Sequence, residues 1–367
     1  MRTGIITTHY SINFGAILQA YALFRAINNL NHDCEVIDYR PNKSVYGRNV
    51  NYKFDSIKNL VYSALRMLNI SYRKKKREKI RRFDKYIIEN FDLSQMIYKS
   101  YVEMKKKLPE YDNLVCGSDQ IWNLNLFNDP AFFLRFEDIH PDTNFIAYGP
   151  SVAEDLSSNQ IQKIIENIKH FDYLSLREKR TSEMIGDMLT KEIECVLDPV
   201  FLMDSSDWKQ VEEPLDINSS YILNYGLTSG GGYIEALNYI REKLQYKLVD
   251  INVRPFNKFN SEYSFTDLSP GNFVWLFRNA EFIYTSSFHG TVFSILFEKQ
   301  FVANPSSLRS LRIDNILDLV GMRERKIEKD NAINSIDLLN TDYKIPLKKL
   351  SELKRHSYNY LSESLDH

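Results

Sequence analysis

SSFHGTVFSILF, residues 286–297, overlaps the apolar run FIYTSS at 282–287 and turns it, at a His-Gly corner, into a segment with helical spacing of apolar residues. In an α/β protein this corner sets His289, Gly290 and Thr291, with Ser287 just ahead, between the carboxyl end of a strand and the amino end of a helix. Unsatisfied N–H groups and the helix dipole favour an anion at such a place. His289 adds a group that exchanges protons near neutral pH. The stretch therefore points to chemistry on a small molecule bearing phosphate or carboxylate.

Outward from this corner, apolar β-branched runs recur with helical patterns between them. GIITTH (4–9), EVIDY (35–39), NLVCGS (113–118), NFIAYG (144–149), YLSLR (173–177) and CVLD (195–198) form one set; YILNYG (221–226), KLVDIN (247–252), FIYTSS and FVANP (301–305) form another. The alternation predicts mainly parallel sheets flanked by helices. At 367 residues the chain is long enough for two domains. The expected architecture is α/β, two doubly wound Rossmann-like domains: 1–205, completed by a C-terminal helix at 345–367, and 206–344, joined near 199–215.

A net charge of -1 with 43% hydrophobic and 26% charged residues describes a globular chain, not a disordered or broadly nucleic-acid-binding one. Three cysteines, Cys34, Cys116 and Cys195, without CxxC spacing, read as small buried thiols of a reducing compartment. MRTGIITTHY enters a strand at once and lacks a leader's apolar stretch, and no run approaches the ~18 to 20 apolar residues of a bilayer span. A cytoplasmic protein is expected. The basic run from Arg73 to Lys85 offers two readings, a solvated helix face or a peripheral contact with the inner face of a membrane; without a nucleic-acid-binding motif beside it, nucleic acid is not an expected partner.

Other loops carry candidate chemistry. Asn13 and Gly15 lead from the first strand into a helix, as a ligand edge or as an ordinary capped turn, and His9 reads as a loop residue. Ser118 and Asp119 stand at the end of NLVCGS, where open α/β sheets bind ligands. Asp119 could orient a sugar hydroxyl, act as a base, or cap a turn. Arg177 ends YLSLR and offers either a two-pronged grip on an anion or a surface ion pair with Glu178 or Asp172. Asp198, before Pro199, reads as structural. GLTSGGGY at 226–233 has the context of a phosphate loop but neither of its standard spacings. Lys299, at the far end of the helix that His289 opens, reads as a helix-terminal cation close in sequence to the corner. No spacing of His, Asp and Glu suggests a metal site.

Six segments in order, NFGAILQAYAL (13–23), VIDYRP (36–41), VCGSDQIWN (115–123), SLRE (175–178), VLDPVFL (196–202) and SSFHGTVFSILFEKQF (286–301), resemble the polysaccharide pyruvyl transferase family. The resemblance implies a GT-B-like two-domain fold with the site in the cleft between domains. It also implies phosphoenolpyruvate as co-substrate, with no further cofactor, and a sugar of a cell-surface glycan or its lipid-linked precursor as acceptor. Arg177, His289 and Lys299 match donor-site positions, and the loops around Asn13 and Asp119 match segments facing the cleft. On this basis Arg177 would hold the donor carboxylate, Lys299 and the N–H groups of Gly290 and Thr291 its phosphate, and His289 would transfer protons. Two other readings stay open at this stage: a GT-B glycosyltransferase using a nucleotide sugar, for which no second-domain strand ends in a clear ribose-binding acid and Asp250 is the one candidate, and a non-catalytic subunit of a glycan-assembly complex. Residues 42–110 and 228–265 lie outside the quoted motifs and would choose the acceptor.

Overall fold

The computed structural model describes residues 1–41, 47–48, 70–152, 156–226, 231–251, 259–328 and 332–366. The chain divides into two compact units: Met1–Gly47, Ile87–Met203 and Leu350–His367 form unit 1, and Arg48–Tyr86 with Asp204–Lys349 form unit 2. Residues 48–86, which the sequence reading left within 1–205, thus cluster with unit 2.

Unit 1 is built on six parallel strands, β1 (Arg2–Ile6), β2 (Asp33–Val36), β3 (Asn113–Cys116), β4 (Asn144–Ala147), β5 (Tyr173–Leu176) and β6 (Glu194–Cys195), in the order β2-β1-β3-β4-β5-β6. Every residue of β3 is buried, as expected of a strand covered on both faces. Helix α1 (Phe14–Asn29) follows β1 and packs on the short turn Pro199–Leu202; it is buried nearly all round. Helix α2 (Ile70–Asn90) starts in unit 2 and ends in unit 1. Then come α3 (Tyr101–Lys107), α4 (Ser158–Ile168) with a Ser157 capping box, and α5 (Lys179–Leu189).

Unit 2 holds β7 (Tyr221–Tyr225), β8 (Lys247–Ile251), β9 (Tyr263–Phe265), β10 (Phe282–Thr285) and β11 (Gln300–Ala303), all parallel, in the order β11-β10-β7-β8-β9. Its helices are α6 (Gly231–Leu244), α7 (Pro270–Asn279), α8 (Phe288–Leu296) and α9 (Ser307–Val320). The last helix, α10 (Lys344–Leu365), returns to unit 1 from Leu350 onward. There Tyr360 donates to the Ala147 carbonyl at 2.9 Å, Ser357 accepts from the Leu197 N–H at 2.9 Å, and Asn144 donates to the Ser364 carbonyl at 2.7 Å.

Each of the ten runs read from the sequence is a strand. The unforeseen one, β9, is three half-buried residues at a sheet edge, too short to leave a pattern. Both sheets reverse their strand order once, unit 1 between β1 and β3 and unit 2 between β7 and β10. Crevices outside the carboxyl ends of strands at such reversals are where open α/β sheets take ligands.

A polar row crosses the unit 2 sheet at one level, with Tyr284 beside Asn224 and Asn224 beside Asp250. Asn224 donates to Asp250 Oδ1 at 2.6 Å and accepts from the Tyr233 hydroxyl at 2.8 Å. Asp250 is 1% exposed, and its Oδ2 has no hydrogen-bond partner among the described residues. Burial pushes its carboxyl up to about 6, against the hydrogen bond from Asn224. A raised acid contributes stability below its unfolded pKa and loses it as pH climbs through the folded value. Asp250→Asn, which keeps the acceptor oxygen, should therefore gain on wild type by about 2 kcal/mol between roughly pH 4 and pH 8. Urea denaturation across that range measures the gap; a gap that does not widen with pH refutes the assignment.

Candidate functional site

The corner in unit 2 is built by one close contact. A Cβ added at Gly290 would overlap the Thr285 hydroxyl and lie 2.9 Å from Thr285 Cβ, so only glycine lets α8 start this tightly against the end of β10. The Thr285 hydroxyl donates to the Tyr225 carbonyl of β7 at 3.0 Å and accepts from the Ser287 N–H at 3.1 Å. This fixes where α8 begins, at the reversal between β7 and β10. The N–H groups of Phe288, His289 and Gly290 belong to the first turn of α8. His289 is buried, its ring edge-on to Phe288 at 5.1 Å between centroids.

The corner differs from the sequence reading at Thr291 and at Lys299. The N–H of Thr291 donates to the Ser287 carbonyl at 3.0 Å and its hydroxyl to the same oxygen at 3.1 Å, so Thr291 is occupied in closing the first turn and is no anion donor. Ser287 is the buried N-cap, and its side chain makes no cap hydrogen bond. Lys299 lies at the other edge of the sheet. Gln300 pairs with Phe282, which sets Lys299 level with Glu281 at the amino ends of the strands, while His289 follows their carboxyl ends. The nine residues of α8 part the two by about 13 Å. Burial pushes the Lys299 ammonium down, opposed by Glu281.

Sequence reasoning missed Arg312 of α9. It is buried, with its guanidinium over the ring of Phe288, the residue preceding His289, at 5.7 Å from the centroid. Its only trace in the sequence is its position in the helix that follows β11.

In unit 1, Arg177 is the hub of a buried ion network and not a surface pair. Its Nη1 donates to Asp198 at 2.6 Å, its Nε to Glu178 at 3.3 Å, and its Nη2 stands 4.0 Å from Asp119 Oδ1. Burial pushes the guanidinium down, but Glu178, Asp198 and Asp119 outweigh it and hold it above its usual range. Asp172, the other partner considered, caps the Phe145 N–H at 2.8 Å. With three carboxylates of its own chain around it, the Arg177 guanidinium is neutralised within unit 1 and stands beside Asp119.

The remaining loops sort plainly. Asn13 caps α1, its Oδ1 accepting from the Gly15 N–H at 3.0 Å, so Gly15 has no N–H to spare for a ligand. Ser118 is fully buried and donates to the Gly149 carbonyl at 2.7 Å. Asp198 also accepts from the Val200 N–H at 3.1 Å, a structural role as read. His9 is buried, its Nε2 3.3 Å from Asp38 Oδ1, and Asp38 in turn binds Arg40. Half of the loop at 226–233, residues 227–230, lies outside the described residues. Among the described residues there is no cluster of His, Cys, Asp and Glu able to hold a metal, and no helix long and apolar enough to cross a membrane.

Asp119 remains as the chemically distinctive residue of unit 1. It follows β3 at the strand reversal with φ 71° and ψ -171°, a region otherwise kept for glycine. Its carbonyl accepts from the Ser151 N–H at 2.7 Å, which holds the strained shape in place. An acid at such a backbone, beside the strand reversal, makes Asp119 the candidate of this unit for a role of its side chain.

This architecture, two parallel α/β units, defines a GT-B-class fold. UGT89C1 of Arabidopsis thaliana, solved with quercetin, is similar with a TM-score of 0.53 at 12% identity, covering 99% of each chain. UDP-GlcNAc 2-epimerase of Methanocaldococcus jannaschii has a TM-score of 0.49 at 13% identity, covering 97% of this chain and 99% of that one. MurG of Acinetobacter baumannii has 0.45 at 8%, covering 99% and 98%. No curated protein matches the sequence. Within that class the sequence is more specific: the family described as polysaccharide pyruvyl transferase matches residues 13–303, most of the chain, and the protein belongs to that family.

The strain at Asp119 has a measurable counterpart. Asp119→Gly should be more stable than Asp119→Ala by about 1 to 2 kcal/mol, because both lose the carboxylate and only glycine relaxes the backbone. Thermal denaturation of the pair decides it; equal stability would mean that residue 119 does not adopt this conformation.

Proposed function

We propose that the protein transfers the pyruvyl group of phosphoenolpyruvate to a sugar of a cell-surface polysaccharide or its lipid-linked precursor, closing a pyruvate ketal. The observation that carries this reading is the His289 corner: a proton-transfer group and first-turn N–H donors at the strand reversal of unit 2, in a chain of the pyruvyl transferase family. The donor carries a phosphate and a carboxylate on one carbon. The N–H groups at the start of α8 suit the phosphate, and Arg312, beside Phe288, suits the carboxylate.

In the reaction, the enol methylene takes a proton and becomes a methyl group, leaving an oxocarbenium-like carbon. One sugar hydroxyl adds there and gives up its proton. Phosphate then leaves with the C–O bond electrons, and a second hydroxyl adds with loss of its proton, which completes the ketal and yields inorganic phosphate. The two protons released balance the one taken by the methylene and the one carried off by phosphate. We assign proton transfer at the methylene to His289, because an imidazole can both give and take a proton. Asp119 is assigned to a sugar hydroxyl, with Arg177 as the residue that positions it. The nucleotide-sugar alternative loses its candidate ribose acid, since Asp250 lies buried with one oxygen on Asn224.

His289→Ala should keep the wild-type melting temperature and lose roughly 100- to 10,000-fold in turnover, followed as phosphate released from phosphoenolpyruvate and as ketal mass on the glycan. Ketal formation at a near-wild-type rate would overturn the assignment of His289. Stabilisation of the wild-type protein by uridine diphosphate, with none by phosphoenolpyruvate, would overturn the donor.

A further inference from the structure

A cavity of about 830 Å³ opens in unit 2 against the first half of α2, with Asp267 also in its lining. The residues that α2 turns to it include Arg73, Lys74, Lys75, Arg77 and Arg81. At 100° per residue, positions 70, 73, 74, 77, 78 and 81 form one stripe, while Lys79, Phe83 and Tyr86 fall on the opposite side. Phe83 and Tyr86 are buried, so the helix is anchored by that side; Arg73, Lys74, Arg77 and Arg81 stand on the stripe, and Lys75 reaches the cavity from beside it. Glu78 is already bound to Arg81 at 2.6 Å and to Arg82 at 3.0 Å. Among the described residues, Arg73, Lys74, Lys75 and Arg77 have no carboxylate partner. Burial pushes the Lys79 ammonium behind them down to about 8, against the pull of Asp267 and with the push of Lys76.

The cavity has a definite place on the fold. Asp267 follows β9 by two residues and precedes α7, and Arg82 donates to Asn272 in the first turn of α7 at 3.3 Å. The cavity therefore borders the carboxyl edge of the unit 2 sheet, the edge that also bears the His289 corner. With β7 and β8 between β10 and β9, strand spacing puts the two about 14 Å apart along that edge.

We infer that this cavity is a binding site for a phosphate-rich anion, of the diphosphate class, separate from the His289 corner. Five cations against two acids, one of them internally paired, leave an excess of positive charge that a single carboxylate would not balance. Arginine forks match phosphate oxygens. Diphosphate occurs free, on soluble sugars, and at the head of lipid carriers, and the chemistry recognised is the same. Taken with the transfer proposed above, the anion belongs to the acceptor; the experiment reads anion binding alone and so stands apart from that reaction.

Inorganic pyrophosphate titrated calorimetrically into the full chain should bind, more weakly as salt rises. Arg73→Gln with Arg77→Gln should lower the affinity about tenfold or more, while Lys163→Gln, on the exposed side of α4, should not. Both changed residues are on a helix surface, and circular dichroism checks that each variant folds. Co-sedimentation with phosphatidylcholine vesicles, with and without phosphatidylglycerol, separates the sources. Vesicle binding that needs the anionic lipid, fails in the double variant and is displaced by pyrophosphate assigns the site to a lipid head group. Pyrophosphate binding without vesicle binding assigns it to a soluble diphosphate. Absence of both, or binding equal in wild type and double variant, overturns the site.

Discussion

The closeness of Gly290 to Thr285 is the constraint on which unit 2 depends. Because no side chain stands at 290, the Thr285 hydroxyl can sit under the first turn of α8 and still reach across to β7. The same residue's carbonyl accepts from the Asn304 N–H at 2.7 Å, which fixes the exit of β11. One threonine thus joins three neighbouring strands at the edge where the sheet reverses. The direction in which the first-turn N–H groups point, and the place of His289 among them, follow from that junction.

Much of this could be read from the residues alone, for identifiable reasons. Strands covered on both faces appear as unbroken apolar runs, so they are visible however far apart they are in the chain. The His-Gly corner is local: strand, turn and helix are contiguous, and so is the chemistry they create. What escaped was contact between distant segments. Arg177, Asp198 and Asp119 each end a different strand, and only the parallel order of those strands brings them together. Lys299 misleads for the opposite reason, since nearness in sequence across a helix is distance from one edge of a sheet to the other. Arg312 was invisible because an arginine in a polar helix resembles any solvated one until its ring partner is known.

The two units place their charge differently. Unit 1 encloses one guanidinium among three carboxylates, an arrangement in which removing the cation would leave several like charges in a dry place. Such networks fix geometry more than they add stability, and here the geometry fixed is that of a strained aspartate. Unit 2 gathers several cations on one helix and leaves them facing open volume. The contrast is between charge neutralised within the fold and charge left for something outside it.

The C-terminal helix has a consequence for how the protein is made. Residues from Leu350 onward belong to unit 1, where Tyr360, Ser357 and the carbonyl of Ser364 bond to residues of β4 and the segment after β6. Ribosomal synthesis supplies the unit 1 strands first and this helix only after all of unit 2. Domains commonly fold in the order in which they emerge; here the first strands made must wait, with part of one sheet face uncovered, until the last helix arrives. Unit 2 contains no segment beyond Lys349, so the later-starting half of the protein is the one able to finish first.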